Sequence, residues 1–256
     1  MDLQPLFSMK LFGSFEVRLG GSNLSGLHAR DADRLLAFLT LRPGQTLPGA
    51  SVASVLWPET GSLDSLRQSV THLRQVLQAD SSRLQTPRGS VLLDLHGADV
   101  DLIHFDEAVR CDDTVAQEKA VALYRGSLLN AWEDRHPEDR VWVGREREKR
   151  KELFRDALRA VARAYMVRSD YELATKYLQQ YVNAYPAEEW AWSDWMKALV
   201  ERGERAAAKN LYTKCGEVFQ QRFQLPHPPE MTRIYELIRV TASPKPAVAP
   251  LDHAPA

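Results

Sequence analysis

The stretch SLDSLRQSVTHLRQVLQADSSRLQTPRGSVLLDL, residues 62–95, decides the fold of the first half of this chain. Its apolar residues recur at steps of three and four, which places them on one face of a helix. They are Leu63, Leu66, Val70, Leu73 and Leu77. After the helix, residues 83–95 alternate around a Pro-Arg-Gly turn, which predicts a short hairpin with Arg88 at its tip.

The opposite face of this predicted helix is polar and partly cationic. It carries Arg67, Gln68, Thr71, His72, Arg74 and Gln75. Such side chains can donate to phosphates and base edges, and the sequence places the acidic Asp64 and Asp80 only at the helix ends. A helix of this kind beside an Arg88-tipped hairpin is typical of a winged-helix domain, in which the helix enters the major groove. An ordinary exposed helix is the alternative, because Arg, Gln and Thr are common on any solvated face.

The surrounding sequence predicts a compact α+β domain. Residues 9–21, MKLFGSFEVRLGG, alternate as a strand does and end in a glycine pair. Residues 29–42 and 51–57 then predict two helices, each followed by a proline. A strand, three helices and a hairpin predict a winged helix-turn-helix domain over residues 9–98, after an N-terminal extension of residues 1–8.

The second half is predicted to be all helix, with an internal repeat. Adding 34 to the number of Leu158 gives Trp192, and adding 34 to Ala174 gives Ala208, so large residues map onto large and small onto small. This is the tetratricopeptide period. It predicts a helical-repeat domain over residues 99–240, with a generic helical bundle as the alternative. A Pro/Ala-rich tail, residues 241–256, is expected to be disordered or a linker.

Three finer interpretations concern this half. An earlier helical pair is predicted in residues 101–111 and 115–129, and the charged residues 145–158 are interpreted mostly as a solvated helix face. Trp192 and Trp195 fit core positions of the repeat better than they fit an aromatic ligand cage, whereas Trp190 lies off that pattern and is expected to be exposed.

Composition excludes several classes of function. The 256 residues hold no long apolar run and no secretory signal, so we expect a cytoplasmic protein that does not span a membrane. Cys111 and Cys215 are interpreted as small core residues, so no metal site is expected. No catalytic motif or cofactor fingerprint occurs, and His136 is interpreted as part of a polar loop, so we expect neither an enzyme nor a cofactor.

Several stretches, in order along the chain, resemble the bacterial transcriptional activator domain family, typified by the Streptomyces antibiotic regulatory proteins. They are LWPE at residues 56–59, SLRQSVTHLRQVL at 65–77, ADVDLIHFDEAV at 98–109, LYRGSLL at 123–129 and FQLPHPPEMTRIYELI at 223–238. The resemblance implies an OmpR-type winged helix joined to a tetratricopeptide-like activator domain. It also implies a transcriptional activator that binds repeated promoter DNA as paired protomers and contacts RNA polymerase. Carried over by position, the DNA-reading helix is residues 66–77 and the wing is residues 83–95.

The sequence also leaves a different class of function open. The net charge of −1 argues against strong non-specific binding to DNA. The alternative is therefore a protein-interaction scaffold, or a fragment of a sensor-regulator, whose winged helix does not bind DNA. A positive strip over the helix and hairpin would favour DNA, and an even or acidic surface would favour the scaffold.

Overall fold

The computed structural model describes residues 7–242, and the side chains of residues 7–240. Most of the predicted N-terminal extension, residues 1–6, lies outside the described residues. Almost all of the predicted tail, residues 243–256, also lies outside them. The chain divides into two compact units, Met1–Ala157 and Leu158–Ala256, with the division inside one long helix. The predicted boundary between residues 98 and 99 thus lies inside the first compact unit.

The first unit is built on two small sheets. Its strands are β1 Phe7–Lys10, β2 Glu16–Leu19, β3 Ser22–Asn23, β4 Leu47–Pro48, β5 Leu84–Gln85, β6 Ser90–Leu93 and β7 Asp99–Val100. One sheet has the order β3-β2-β1-β7, in which β1 pairs antiparallel with β2 and parallel with β7. The other has the order β4-β6-β5, with both pairings antiparallel. The first strand begins two residues before the predicted domain start at Met9.

Six helices belong to the first unit, the last of them in part. They are α1 Ala32–Thr40, α2 Gly49–Leu56, α3 Leu63–Leu77, α4 Asp101–Ala108, α5 Thr114–Leu123 and α6 Arg140–Val167. Helix α3 and the β5–β6 hairpin confirm the elements predicted from residues 62–95. Ser62 begins α3 as its N-cap, because its hydroxyl accepts a hydrogen bond from the backbone of Ser65. The apolar face of α3 is buried at Leu66, Leu73 and Leu77, as its spacing predicts.

A buried carboxylate network packs the segment before α6 onto α1. Asp139 is fully buried and accepts from the Arg34 guanidinium, at 3.0 Å from Nε and 2.7 Å from Nη2. The indole N–H groups of Trp132 and Trp142 each donate to it at 2.9 Å. Four donors on one carboxylate make an enclosed, fully paired site. Residues on both sides of the predicted boundary at 98 therefore share one core.

The described part of the second unit holds the remaining turns of α6, four further α-helices and the π-helical segment Phe219–Phe223. The four α-helices are α7 Tyr171–Ala184, α8 Glu189–Glu201, α9 Arg205–Val218 and α10 Pro229–Ala242. The positions related by 34 residues are buried in both copies: Leu158 and Trp192 are 0% and 1% exposed, and Ala174 and Ala208 are both 0% exposed. The α6–α7 and α8–α9 helix pairs thus bury large and small residues at the same positions of the 34-residue repeat.

Two predicted elements near the first sheet are wrong in extent. Residues 9–21 form two strands with a turn between them, not one strand, and Gly13 lies in that turn with φ +90°. Helix α5 ends at Leu123 and does not run on to Leu129. One cause explains both, because residues 11–13 pair with residues 127–130: Leu129 N–H donates to Leu11 C=O at 2.7 Å, and Gly13 N–H to Ser127 C=O at 3.0 Å.

The interpretations of three single side chains, Cys111, His136 and Trp190, also need correction. Cys111 lies beyond the end of α4 and is exposed, whereas Cys215 is buried as predicted, and burial raises its pKa to about 12. His136 is 8% exposed and is buried in a hydrogen-bonded cluster. The charged residues of 145–158 are mostly solvated as predicted, although Arg150 is 2% exposed and pairs with Asp106 and Glu146. Trp190 is half-buried against the ring of Tyr181, whereas Trp192 and Trp195 are buried as predicted.

Candidate nucleic-acid interface

The outward face of α3 and the tip of the β5–β6 hairpin lie side by side on the first unit. A cleft of about 320 Å³ separates them, lined on the helix side by Arg67, Thr71 and Arg74, and on the hairpin side by Thr86 and Gly89. A polar helix face with a hairpin beside it is a shape that fits the groove and backbone of a DNA duplex. This surface, α3 together with the hairpin, is the candidate interface.

Five of the predicted contact residues are exposed on this surface. They are Arg67, Gln68, Thr71, Gln75 and Arg88. Arg88 stands at the hairpin tip in a left-handed backbone conformation, with φ 45°. That conformation costs energy for a residue other than glycine, so the tip is held in place by its surroundings. The structure thus presents cationic and amide side chains together at one edge.

A carboxylate at the start of α3 lies close to the first arginine of the candidate interface. Asp64 lies one turn before Arg67, and its carboxylate is 2.7 Å from the Arg67 guanidinium. Both side chains are about three-quarters exposed, at 79% and 74%. An exposed pair of this kind contributes little to stability, but it offsets the charge of one arginine on the candidate interface.

Two of the predicted contact residues, His72 and Arg74, are instead bound by residues outside α3. His72 is half-buried, and its Nε2 lies 2.9 Å from the carbonyl oxygen of Gly26, so that nitrogen donates to the loop before α1. Arg74 is half-buried, and its guanidinium donates to the backbone carbonyl of Leu84 and to the hydroxyl of Thr86. A helical wheel identifies these residues as polar but does not show which neighbours bind them.

The loop that precedes α1 supports α3 from behind. Ser69 on α3 is 1% exposed and donates to the carbonyl oxygen of Arg30 at 2.6 Å. The backbone of Arg30 is left-handed, with φ 52°, and its side chain is exposed. Arg30 therefore adds a cation beside α3 that spacing along the sequence could not identify, since a tertiary contact brings it there.

A buried carboxylate holds the same loop in place. Asp33 is fully buried, with His28 Nδ1 at 2.8 Å and His136 Nε2 at 3.1 Å from its Oδ2. Burial by itself would raise the pKa of Asp33, but the hydrogen bonds from His136 and His28 outweigh it and hold the pKa below its ordinary value. A lowered pKa stabilises the fold while the carboxylate is ionised, so this contribution is lost as the pH falls through the folded-state pKa.

The hairpin tip approaches the start of α2 very closely. A Cβ atom at Gly49 would stand 2.7 Å from the carbonyl oxygen of Gly89 and 3.2 Å from the side chain of Leu66. Glycine at residue 49 therefore sets how near the tip can come to the rest of the unit. The tip is thus fixed against α2 on one side and faces α3 across the cleft on the other.

Among the described residues, no group of three or more His, Cys, Asp or Glu side chains could hold a metal ion. Within the same part of the chain, no helix combines the length and apolar character needed to cross a bilayer.

The chain matches the family model of the bacterial transcriptional activator domain over residues 105–239. Its fold is similar to that of Mycobacterium tuberculosis EmbR, solved in complex with a low affinity phosphopeptide, with a TM-score of 0.64 and 17% sequence identity. The match covers 97% of this chain and 67% of the EmbR chain. No curated protein matches the sequence.

Proposed function

Because the chain belongs to the bacterial transcriptional activator domain family, we propose that it is a sequence-specific DNA-binding activator whose residues 9–98 act as a winged helix. The observation that supports this is the exposed polar face of α3 with the Arg88-tipped hairpin beside it. In this proposal α3 is the reading helix and the β5–β6 hairpin is the wing. Base edges in the major groove are read by Arg67 and Gln68, in the N-terminal half of the helix, and by Thr71, one residue past its middle.

The remaining helices supply the protein contacts in this proposal. Stacked helix pairs present an extended surface that suits a protein segment, and the activator role places RNA polymerase on the tetratricopeptide-like domain, residues 99–240. The proposal assigns only binding to this protein, with no catalytic step and no cofactor. Its proposed location is the bacterial cytoplasm, where promoter DNA lies.

The base-reading assignment gives the first test. Arg67→Ala and Thr71→Ala should each weaken binding to a selected duplex by about 1–3 kcal/mol and relax preference at one base pair. The duplex is obtained by selection from a randomised pool with the intact chain, and binding is measured by mobility shift. Arg110→Ala is the matched control, since Arg110 is an exposed arginine beyond the end of α4, away from the reading helix. Parent-like binding by both variants would show that the reading helix is misassigned.

The second test concerns the number of protomers on DNA. Two arginines of the candidate interface, Arg67 and Arg88, are exposed, and Arg30 is an exposed arginine in the loop that packs against α3. About three neutralised phosphates give a slope of log K against log salt near −3 for one protomer. We propose that two protomers bind adjacent repeats as a homodimer on DNA, which should bring the slope near −5 to −6 on a tandem site. Equal affinity for a single and a tandem site would argue against the paired arrangement.

The alternative function is a protein-interaction scaffold, or sensor-regulator fragment, whose winged helix does not bind DNA. Two observations favour it: Asp64 offsets the charge of Arg67, and Arg74 is engaged by the hairpin. Both interactions reduce the number of free cationic side chains that could bind DNA phosphates, and the chain as a whole has a net charge of −1. Failure of the intact chain to enrich any duplex from the randomised pool would favour the scaffold.

A further inference from the structure

Arg74 lies on the cleft side of α3, and its Nε and Nη2 donors are used by the hairpin. Its Nε and Nη2 lie 3.2 and 3.0 Å from the carbonyl oxygen of Leu84, and Nη2 also lies 3.0 Å from the hydroxyl of Thr86. The planar guanidinium can reach both acceptors at once, which the single ammonium group of a lysine does less well. A phosphate or base edge would have to compete for these donors.

The hairpin needs such a contact because its own pairing is short. Strands β5 and β6 pair at two positions, Leu84 with Leu93 and Gln85 with Leu92, and the Asp94 N–H donates to the Arg83 carbonyl oxygen just beyond them. Strand β6 is held from its other side by β4, but β5 is the edge strand of this sheet. Among the described residues, Arg74 makes the side-chain hydrogen bonds that join α3 to β5 and the residue after it.

We propose that Arg74 is a positioning residue: it holds the wing at a fixed distance from the reading helix, so that Arg88 reaches the DNA backbone, and it does not itself contact DNA. This rests on the proposed function. It assigns Arg74 a role different from direct base or phosphate contact, which the polar face of the helix alone suggests. The proposal also assigns a role to Thr86, whose hydroxyl accepts a hydrogen bond from Arg74 and so helps to fix the position of the wing.

The first experiment uses the full chain without DNA. Hydrogen exchange is followed in peptides covering residues 84–90. Arg74→Met should raise exchange there by about tenfold, the effect expected for the loss of one or two hydrogen bonds. Thr86→Val should raise it less, and Arg74→Lys should restore part of the protection. Arg67→Met is the matched control on the same helix and should leave the hairpin unchanged. Unchanged exchange in Arg74→Met would overturn the proposal.

The second experiment measures DNA affinity as a function of salt for Arg74→Met, Arg88→Ala and the double variant. If Arg74 acts through the wing, Arg88→Ala lowers the salt slope by about one in the parent and by little in the Arg74→Met background. A general loss of stability would not produce this dependence on Arg88. If Arg74 contacts a phosphate itself, the two losses add, and the proposal is overturned while DNA binding stands.

The two experiments separate this proposal from the proposed function. A parent chain that binds no selected duplex contradicts the DNA-binding function. Exchange in residues 84–90 then still decides whether Arg74 holds the hairpin, since that measurement needs no DNA. Raised exchange of residues 84–90 in Arg74→Met would support the proposal that Arg74 holds the hairpin. Exchange like that of the parent would overturn it.

Discussion

Replacing Asp139 with alanine is expected to destabilise the first unit by about 3–5 kcal/mol, because a buried guanidinium and two indole N–H groups lose their shared acceptor. The Arg34 side chain is 3% exposed, so bulk water does not solvate its guanidinium. Glu138, at 2.9 Å from Arg34 Nη1, supplies some compensation but accepts from neither indole. The measurement is native-state hydrogen exchange on peptides of α1 and of residues 132–142.

The controls for Asp139 separate burial from charge. Asp134→Ala removes a nearby exposed aspartate and should change stability by less than about 0.5 kcal/mol. The double variant Arg34→Met with Asp139→Leu should be more stable than Asp139→Ala, because it removes the unpaired charge together with its partner. If Asp139→Ala and Asp134→Ala gave equal effects, Asp139 would not hold the segment onto α1.

Replacing Trp192 with alanine is expected to destabilise the second unit by about 3–5 kcal/mol, since removing a large core side chain leaves a cavity. Trp192 is 1% exposed, donates to the carbonyl oxygen of Pro186 at 2.9 Å and packs edge-on against Phe219. Trp190→Ala, at a half-buried position two residues away, should cost less. Exchange in peptides of α8 and α9 measures both.

The same variant tests the proposed separation of roles between the units. The proposed DNA contacts all lie in the first unit, so Trp192→Ala should keep its affinity for duplex DNA. It should lose activation of transcription by purified RNA polymerase. A truncation after residue 98 is a poorer test, because it removes Asp139 and leaves Arg34 without its main partner. Full activation by Trp192→Ala, with the second unit shown to be unfolded, would contradict the assignment of polymerase contact to these helices.

The sequence predicted the elements that depend on residues close together in the chain. Helix α3 follows from its apolar spacing, the hairpin from its turn residues, and the buried positions at Leu158, Ala174, Trp192 and Ala208 from a fixed period. These features depend on residues a few positions apart, or on a repeat that a sequence displays directly.

Tertiary partners could not be predicted in this way. Arg34 and Asp139 are 105 positions apart, and nothing in either local sequence distinguishes them from solvated charges. The polar face of α3 was visible, but the sequence did not show that Gly26 engages His72 or that Leu84 and Thr86 engage Arg74. The predicted site residues therefore remain predictions, with Arg67, Gln68 and Thr71 favoured by their exposure.

The close approach of Gly49 to Gly89 makes residue 49 useful for interpreting related sequences. No larger side chain fits beneath the hairpin tip without displacing the backbone of Gly89. A related protein with alanine or serine at the equivalent residue must therefore carry its tip further from the start of α2. In the proposed function, such a tip would meet the DNA backbone at a different place. One glycine at the start of α2, outside both α3 and the hairpin, would then divide relatives into groups that prefer different spacings between helix and backbone contacts on DNA.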